Sequence, residues 1–423
     1  MLESKILSKK VLIVCDDFPP RPEVGGVRPA MMAKYLPEFG WQVSVLTRGM
    51  PVAEWSHPSR SEIRGLPNVK DVHLVEHDRQ AEQTFIARRG LISTLDNFFR
   101  PEKAHPPGLA HAMSRRLDDL VAVERPDIIW ATCPTMAPLG VANHAWQKHK
   151  IPWIADFRDT AQQELGSDVT VRHWVLRQRM IWRQRSLTKS AAAACTVSNH
   201  HASELAEDFG RPVEVIYNGF DPDMFVSTAP GPTSVFQLVY MGRILNTWLH
   251  EPRLLFDSLD ALLETGQIST NEISVDFYGA EPETLATMLA PRKCRNVVRA
   301  LPRVDYAEVP NILSKANACL LLTNRGRDGI LTTKAFEYMG IGRPVLCIPG
   351  DGGELDKLLH NTHAGVSCDS VEAICKAIMG WFKEWRTGGV VACCSNHAGV
   401  AEYSRRRQAQ RLSAMLEIAA SLQ

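Results

Sequence analysis

The sequence has 423 residues, 45% hydrophobic and 22% charged, and its 48 Lys and Arg against 47 Asp and Glu leave a formal net charge of +1. That length exceeds one ordinary core and suits two α/β domains of about 200 residues each. The near-neutral balance, split by direct count into roughly +3 before residue 220 and roughly −2 after it, gives no global attraction to nucleic acid.

Met1 to Lys10 is short and polar and leads straight into Val11-Leu12-Ile13-Val14, which reads as a first buried strand. No apolar run reaches signal-peptide or transmembrane length, so the expectation is a cytoplasmic chain. The loop PEVGGV and a helical pattern from Ala30 to Phe39 follow. Strand-like runs then recur at 42–47, 126–131, 152–157, 192–198 and 213–219. A second series occupies 236–242, 273–279, 296–301, 318–323 and 344–349. Short runs rich in Val, Ile and Leu, separated by helix-length segments, predict parallel sheets covered by helices on both faces. The segment 220–234, FDPDMFVSTAPGPTS, has the Pro, Gly, Ser and Thr content of a linker. A last helical pattern runs from Ala401 to Leu422. Ten cysteines lack metal-ligand spacing, and Cys15, Cys195, Cys319 and Cys347 sit inside apolar runs, as reduced core thiols do. The adjacent Cys393 and Cys394 read as incidental.

Five constellations could carry chemistry. After the first strand, Gly25 and Gly26 permit a tight turn whose amides could face an anion or sugar hydroxyls. At 153–159, WIADFRD, a strand end delivers Asp156, Arg158 and Asp159 to the crevice where parallel sheets bind ligands; an Asp–Arg pair capping the next helix is the competing reading. In Tyr240-Met-Gly-Arg243, Gly242 admits close backbone approach and Arg243 can pair with a diphosphate. In Asp328-Gly-Ile-Leu-Thr-Thr-Lys334-Ala-Phe-Glu337, Lys334 and Glu337 lie three apart on one helix face. A cation for phosphate beside a carboxylate for two ribose hydroxyls suits a nucleoside diphosphate, although spacing alone would favour a helical Lys–Glu surface pair. Finally, Gly352, Gly353 and Glu354 form a glycine-rich turn whose amides could hold phosphate oxygens. Asp221-Pro-Asp223 has the form of a metal-binding Asp-x-Asp, but its turn-forming proline and linker position argue for a turn. His200-His201 follows a helix cap at Ser198. The segment 172–189 carries six basic residues with Trp174 and Trp182, so it reads as a solvated basic helix or one lying on an anionic membrane.

Taken in order, VLIVCDDFPPRPEVGGVRPAMMAKYLPEFGWQVSVLT, PWIADFRD, TVSNHHASEL, VIYNGFDPDMF, YMGR, FYG, TKAFEYMGIGRPVL and PGDGGEL resemble the retaining GT-B glycosyltransferases, the broad family of glycogen synthase and of bacterial polysaccharide-assembly transferases. The resemblance covers nearly the whole chain. It implies an α/β fold of two Rossmann-like domains facing a cleft, with a C-terminal helix crossing back to the first. The expected domains are an N-terminal acceptor domain of residues 1–220 with helix 401–423, and a C-terminal donor domain of residues 221–400. It implies transfer of a sugar from a nucleotide-diphosphate sugar, UDP or GDP, with retention and without metal or other cofactor. The acceptor would be a glycan, a lipid-linked molecule or a small molecule, reached at the inner membrane face if the basic helix docks there. Arg243 and Lys334 would contact the diphosphate and Glu337 the ribose, with Gly25 and Gly26 near the reacting sugar and Asp159 positioning or deprotonating the acceptor. Many relatives carry an earlier glutamate, contacting the donor sugar, eight positions before the second; here that position is Gly329, and the adjacent Asp328 is the donor-binding candidate that would replace it, with a different reach. A basic residue commonly following the Gly-Arg pair also has no evident counterpart. A nucleotide-sugar 2-epimerase or hydrolase, or a silent nucleotide-sugar-binding subunit, would share the same motifs.

Overall fold

The computed structural model describes residues 9–19, 24–49, 69–75, 108–161, 171–244, 252–323, 329–392 and 395–422, with only the backbone of 172 and 173. Asp328 and the pair Cys393-Cys394 lie outside the described residues.

The chain divides into two compact units, Met1–Tyr217 with Gln408–Gln423, and Asn218–Arg407. The first unit contains β1 (Lys9–Cys15), α1 (Val27–Tyr35), β2 (Trp41–Arg48), β3 (Val69–Val75), α2 (Leu109–Glu124), β4 (Ile128–Cys133) and α3 (Ala137–His149). It continues with β5 (Trp153–Phe157), α4 (Val171–Thr188), β6 (Ala193–Thr196), α5 (Asn199–Phe209) and β7 (Glu214–Val215). Its seven strands are ordered β3-β2-β1-β4-β5-β6-β7, and every pairing is parallel. The order reverses direction between β1 and β4, the switch point at which such sheets open a crevice beyond their carboxyl ends.

The two-residue period of β1 builds two cores. Leu12 and Val14 point to one face, among side chains of α2, α3 and α5. Val11, Ile13 and Cys15 point to the other, among Ala30, Met32 and Tyr35 of α1 and Leu412 and Leu416 of the chain's last helix. Each such wholly buried leucine contributes about 1.5–3 kcal/mol. Trp41 Nε1 donates to Ser413 Oγ at 2.9 Å, so that helix is also tied to the start of β2.

The second unit contains β8 (Phe236–Met241), α6 (Arg253–Glu264), β9 (Ile273–Tyr278), α7 (Pro282–Leu289), β10 (Val298–Leu301), α8 (Val309–Lys315) and β11 (Ala318–Leu322). Then come α9 (Thr333–Ile341), β12 (Val345–Ile348), α10 (Glu354–Thr362), β13 (Gly365–Ser367), α11 (Val371–Gly388), α12 (His397–Ala401) and the first three residues of α13 (Arg405–Ala420), which from Gln408 onward belongs to the first unit. Its strands are ordered β10-β9-β8-β11-β12-β13, again all parallel. The core gathers Phe236, Leu238 and Tyr240 of β8 with Phe256 and Leu259 of α6 and Ile378 and Phe382 of α11.

Several expectations need correction. The first helix ends at Tyr35, and Leu36–Phe39 is a 3-10 turn that Gly40 closes at φ 88°; Pro37, without an N–H, cannot continue the α pattern. Strands β3 and β13 were not anticipated. Both are sheet edges: β3 is half-exposed along most of its length and β13 has three residues, so neither shows a continuous apolar run. The linker begins later than its composition suggests. Phe220 and Phe225 are buried, a Cβ on Gly340 would lie 2.5 Å from the Phe220 ring, and Arg343 holds the Thr228 carbonyl at 3.0 Å. Two aromatic side chains have enough surface to anchor a segment that otherwise reads as a spacer.

Among the described cysteines, seven are buried and unbridged, with Cys375 half-buried. Among the described residues no helix is long and apolar enough to cross a membrane.

Candidate functional site

In the first unit the carboxyl ends of β1, β4 and β5 carry the predicted residues, in an arrangement different from the expected one. Asp156 is wholly buried and pairs with Arg28, not with Arg158. Arg28 Nε and Nη2 reach Asp156 Oδ2 and Oδ1 at 2.9 and 2.7 Å, Thr132 Oγ1 donates to Oδ2 at 2.6 Å, and the Cys195 thiol donates to Oδ1 at 3.2 Å. Burial opposes the Asp156 charge, but Arg28 more than offsets it and holds the carboxyl below its ordinary range. This is a satisfied interior ion pair, and its role is structural. Arg28 Nη1 also reaches the Tyr217 carbonyl at 3.1 Å.

Arg158 instead clamps the glycine turn. Its Nη1 donates to the Gly25 carbonyl at 2.5 Å and its Nε to the Cys133 carbonyl at 3.1 Å. A Cβ on Gly25 would stand 3.2 Å from Asp17 Oδ2, and one on Gly26 would stand 3.3 Å from the Phe18 backbone. The turn therefore lies tight against the end of β1. Asp159 is half-buried, and burial raises its carboxyl above the usual value, with Arg158 opposing. Burial that disfavours its charged form makes it a candidate for proton transfer. Asp16, missed in the sequence, is buried and accepts from Thr135 Oγ1 at 2.9 Å and Thr135 N at 3.2 Å.

In the second unit the residues of the fourth constellation do come together with those of the third. Gly242 follows β8 at φ +128°, and a Cβ there would stand 2.5 Å from Lys334 Nζ. The absence of that carbon gives Lys334 its place. Its Nζ lies 4.7 Å from the centre of the Tyr240 ring and 3.2 Å from the Tyr240 hydroxyl. Burial lowers Lys334 from 10.5 to about 8, with Glu337 opposing. Arg243, next along, is exposed, and its carbonyl accepts the Tyr240 hydroxyl at 3.1 Å.

Glu337, one turn after Lys334 on α9, is only 6% exposed, so the pair is no surface ion pair. The Tyr306 hydroxyl donates to Glu337 Oε1, and Arg405 Nη2 stands 4.0 Å from the same oxygen. Burial raises the carboxyl, with Arg405, Tyr306 and Lys334 opposing. A carboxylate offers about four lone-pair positions, so acceptor capacity remains beside the Tyr306 bond. Tyr306 and Arg405 escaped the sequence reading because they come from a 3-10 turn and from the last helix, 31 and 68 positions away; only their aromatic and basic character was visible.

The glycine turn before α10 departs from expectation. Its amides are already taken. Gly353 N and Leu355 N donate to Asp351 at 2.8 and 3.0 Å, and Gly352 N donates to Asp356 Oδ2 at 3.0 Å. Asp351 caps the helix and supplies the negative charge that a phosphate was expected to bring. Glu354 is the first residue of α10. Asp221 likewise accepts the Asp223 N–H at 3.0 Å, and Asp223 pairs with Arg406 at 3.0 Å, as a turn requires.

On α4 the exposed positions are Val171, Trp174, Val175, Gln178, Trp182 and Arg185, spaced along one stripe of the helix. Trp174 and Trp182 are each about half exposed, at 53% and 54%. Ser198 caps α5 by accepting the His201 N–H at 3.2 Å.

A family profile described as "Glycosyl transferase 4-like domain" matches residues 25–219, and one described as "Glycosyl transferase-like" matches residues 253–385. No curated protein matches the chain by sequence. Among solved structures, HepE of Anabaena in complex with UDP and glucose aligns with TM-score 0.62 at 16% identity, over 97% of this chain and 99% of its own. Sucrose-phosphate synthase of Thermosynechococcus elongatus aligns with TM-score 0.64 at 13% identity, over 98% and 100%. The catalytic domain of starch synthase IV of Arabidopsis thaliana, bound to ADP and acarbose, aligns with TM-score 0.57 at 12% identity, over 98% and 100%. At such identities these likenesses speak for the fold.

Proposed function

We propose, for a chain that belongs to the GT-B glycosyltransferases and transfers sugar from a nucleotide sugar, that the donor's diphosphate binds at Lys334 and Arg243 and its ribose at Glu337. The observation that carries this reading is the seat of Lys334: a half-buried ammonium held over Tyr240 in the space that Gly242 leaves open. A partly desolvated cation at a strand's carboxyl end is costly without an anionic ligand. HepE holds UDP and starch synthase IV holds ADP, which supports a nucleoside diphosphate as the leaving group, here read as UDP or GDP. Lys334 and Arg243 would stabilise charge on the departing diphosphate, and Asp159 would position or deprotonate the acceptor hydroxyl.

Transfer with retention is the stereochemical outcome that the resemblance implies, and proton NMR of the newly formed anomeric centre checks it. Metal-free catalysis is supported by Asp221 and Asp223, whose side chains are engaged within a turn and with Arg406. Docking of α4 on an anionic bilayer, close to a lipid-linked acceptor, is supported by its exposed Trp174 and Trp182 beside arginines on a helix without acidic residues. Salt-sensitive cosedimentation with anionic but not neutral vesicles tests it.

The assignment itself is tested by calorimetry with UDP and GDP. Lys334→Ala should weaken binding by about 1.5–3 kcal/mol, as expected for a lost charge-assisted bond. Glu337→Gln should also reduce the preference for ribose over 2′-deoxyribose. Unchanged affinity in the first variant and an unchanged preference in the second would overturn it.

A further inference from the structure

A group on the outer layer of the first unit lies apart from the residues assigned to the candidate site. Asp118 projects from α2, and His144 and His149 project from α3, which packs beside it. Both imidazoles aim Nε2 at one atom, Asp118 Oδ1, at 3.0 Å from His144 and 2.6 Å from His149. Their rings are nearly perpendicular, at 77°, with centroids 6.5 Å apart. The potential ligand atoms of all three residues lie within 4.8 Å of one another. Lys148 Nζ takes the other carboxylate oxygen, Oδ2, at 2.8 Å.

Two perpendicular imidazoles and a carboxylate converging on one point present the donor set of a divalent transition-metal ion: two borderline nitrogens and one hard oxygen. We infer that His144, His149 and Asp118 form a zinc site that joins α2 to α3, with water completing a four-coordinate shell. At ordinary Zn–N and Zn–O lengths of about 2.0–2.1 Å, adjacent ligand atoms of a tetrahedral shell stand about 3.4 Å apart. The two histidine–aspartate distances therefore need to open by less than about an ångström, and the two Nε2 atoms to close by no more than about 1.4 Å from their 4.8 Å limit; all three side chains are partly exposed, at 36%, 22% and 24%. Each histidine must present its Nε2 lone pair to the metal and carry its proton on Nδ1. Asp118 binds through Oδ1, and Oδ2 keeps Lys148 as an outer partner. The lysine's charge opposes the ion and sets the affinity below that of an unopposed site.

The experiment titrates zinc chloride into the full chain, pretreated with chelator and desalted, and follows it by calorimetry. The expected result is one saturable site, weakened by more than about tenfold in His144→Ala, in His149→Ala and in Asp118→Asn, since loss of even an outer partner typically costs about 10–100-fold. Lys148→Ala should bind zinc more tightly than the wild type. Cobalt(II) provides a measurement on the unaltered chain. It should give the visible bands of a four-coordinate nitrogen and oxygen site without thiolate charge-transfer absorption in the near ultraviolet. Thiolate bands, affinity equal in the wild type and the histidine variants, or no saturable binding to the wild type would each overturn the inference.

Discussion

Replacing Lys334 with methionine separates the cost of a buried cation from its use. Folded Lys334 titrates at about 8 against an ordinary value of 10.5. Between those values the unfolded chain holds a proton that the folded chain has lost, so stability increases as pH rises through this window. At pH 7 the full shift corresponds to about 3 kcal/mol of instability at 1.36 kcal/mol per unit, an upper figure because water still reaches part of the side chain. Lys334→Met keeps the aliphatic stem, removes the charge and forgoes the contact with the Tyr240 ring, worth about 0.5–2 kcal/mol. The variant should therefore be about 1–3 kcal/mol more stable than wild type by urea unfolding at pH 7. By pH 9.5 the advantage should shrink by about 2 kcal/mol. The same variant should lose most of its UDP affinity, and wild-type affinity should decline above about pH 8 as the free site loses its proton. A stability difference that is absent at pH 7, or identical at both pH values, would refute the reasoning. A variant that keeps wild-type UDP affinity would refute the assignment of the site.

Three further outcomes are expected. Gly242→Ala adds a carbon 2.5 Å from Lys334 Nζ at φ +128°; it should cost about 1–2 kcal/mol of stability for the left-handed backbone and weaken nucleotide binding by displacing the ammonium, as urea unfolding and calorimetry would register. Asp156→Asn leaves the wholly buried Arg28 without its counter-charge and should destabilise the chain by about 3–5 kcal/mol, a loss visible in the urea midpoint. Sugar transfer should persist in excess EDTA, measured as product formed; complete loss restored by magnesium or manganese would return Asp221 and Asp223 to consideration as metal ligands.

Both sheets were legible because buried parallel strands announce themselves as unbroken runs of Val, Ile and Leu. Phe236–Met241 and Ala318–Leu322 are such runs. The strand at Val69–Val75 was not, because an edge strand with Lys70, Asp71 and His73 has one rim in water and no apolar continuity. At the candidate site, spacing on a single helix predicted that Lys334 and Glu337 share a face. It could not show that this face is interior, since burial is decided by Tyr240, Tyr306 and Arg405 arriving from elsewhere in the chain. The glycine turn at 350–353 misled for a related reason. Its backbone is shaped for an anion, and the anion turned out to be the side chain of Asp351, inside the motif itself. Asp156 was read beside Arg158 because they are neighbours in sequence, yet Arg158 follows the strand and turns back to Gly25, leaving Arg28 as the interior partner.

The buried thiols have a use outside catalysis. Cys15, Cys133, Cys195, Cys294, Cys319, Cys347 and Cys368 are spread through both units, each shielded by the packing around it. Burial also pushes Cys15, Cys195 and Cys319 far from the reactive thiolate form. An alkylating reagent can reach these sulfurs only when the surrounding structure opens. Cys133 and Cys195 report on the first sheet, and Cys319 and Cys347 on the second. Mass-resolved labelling of the native chain would thus time the opening of each unit separately, and a nucleotide bound near α9 should slow the labelling of Cys319 and Cys347 while leaving Cys195 at its own pace.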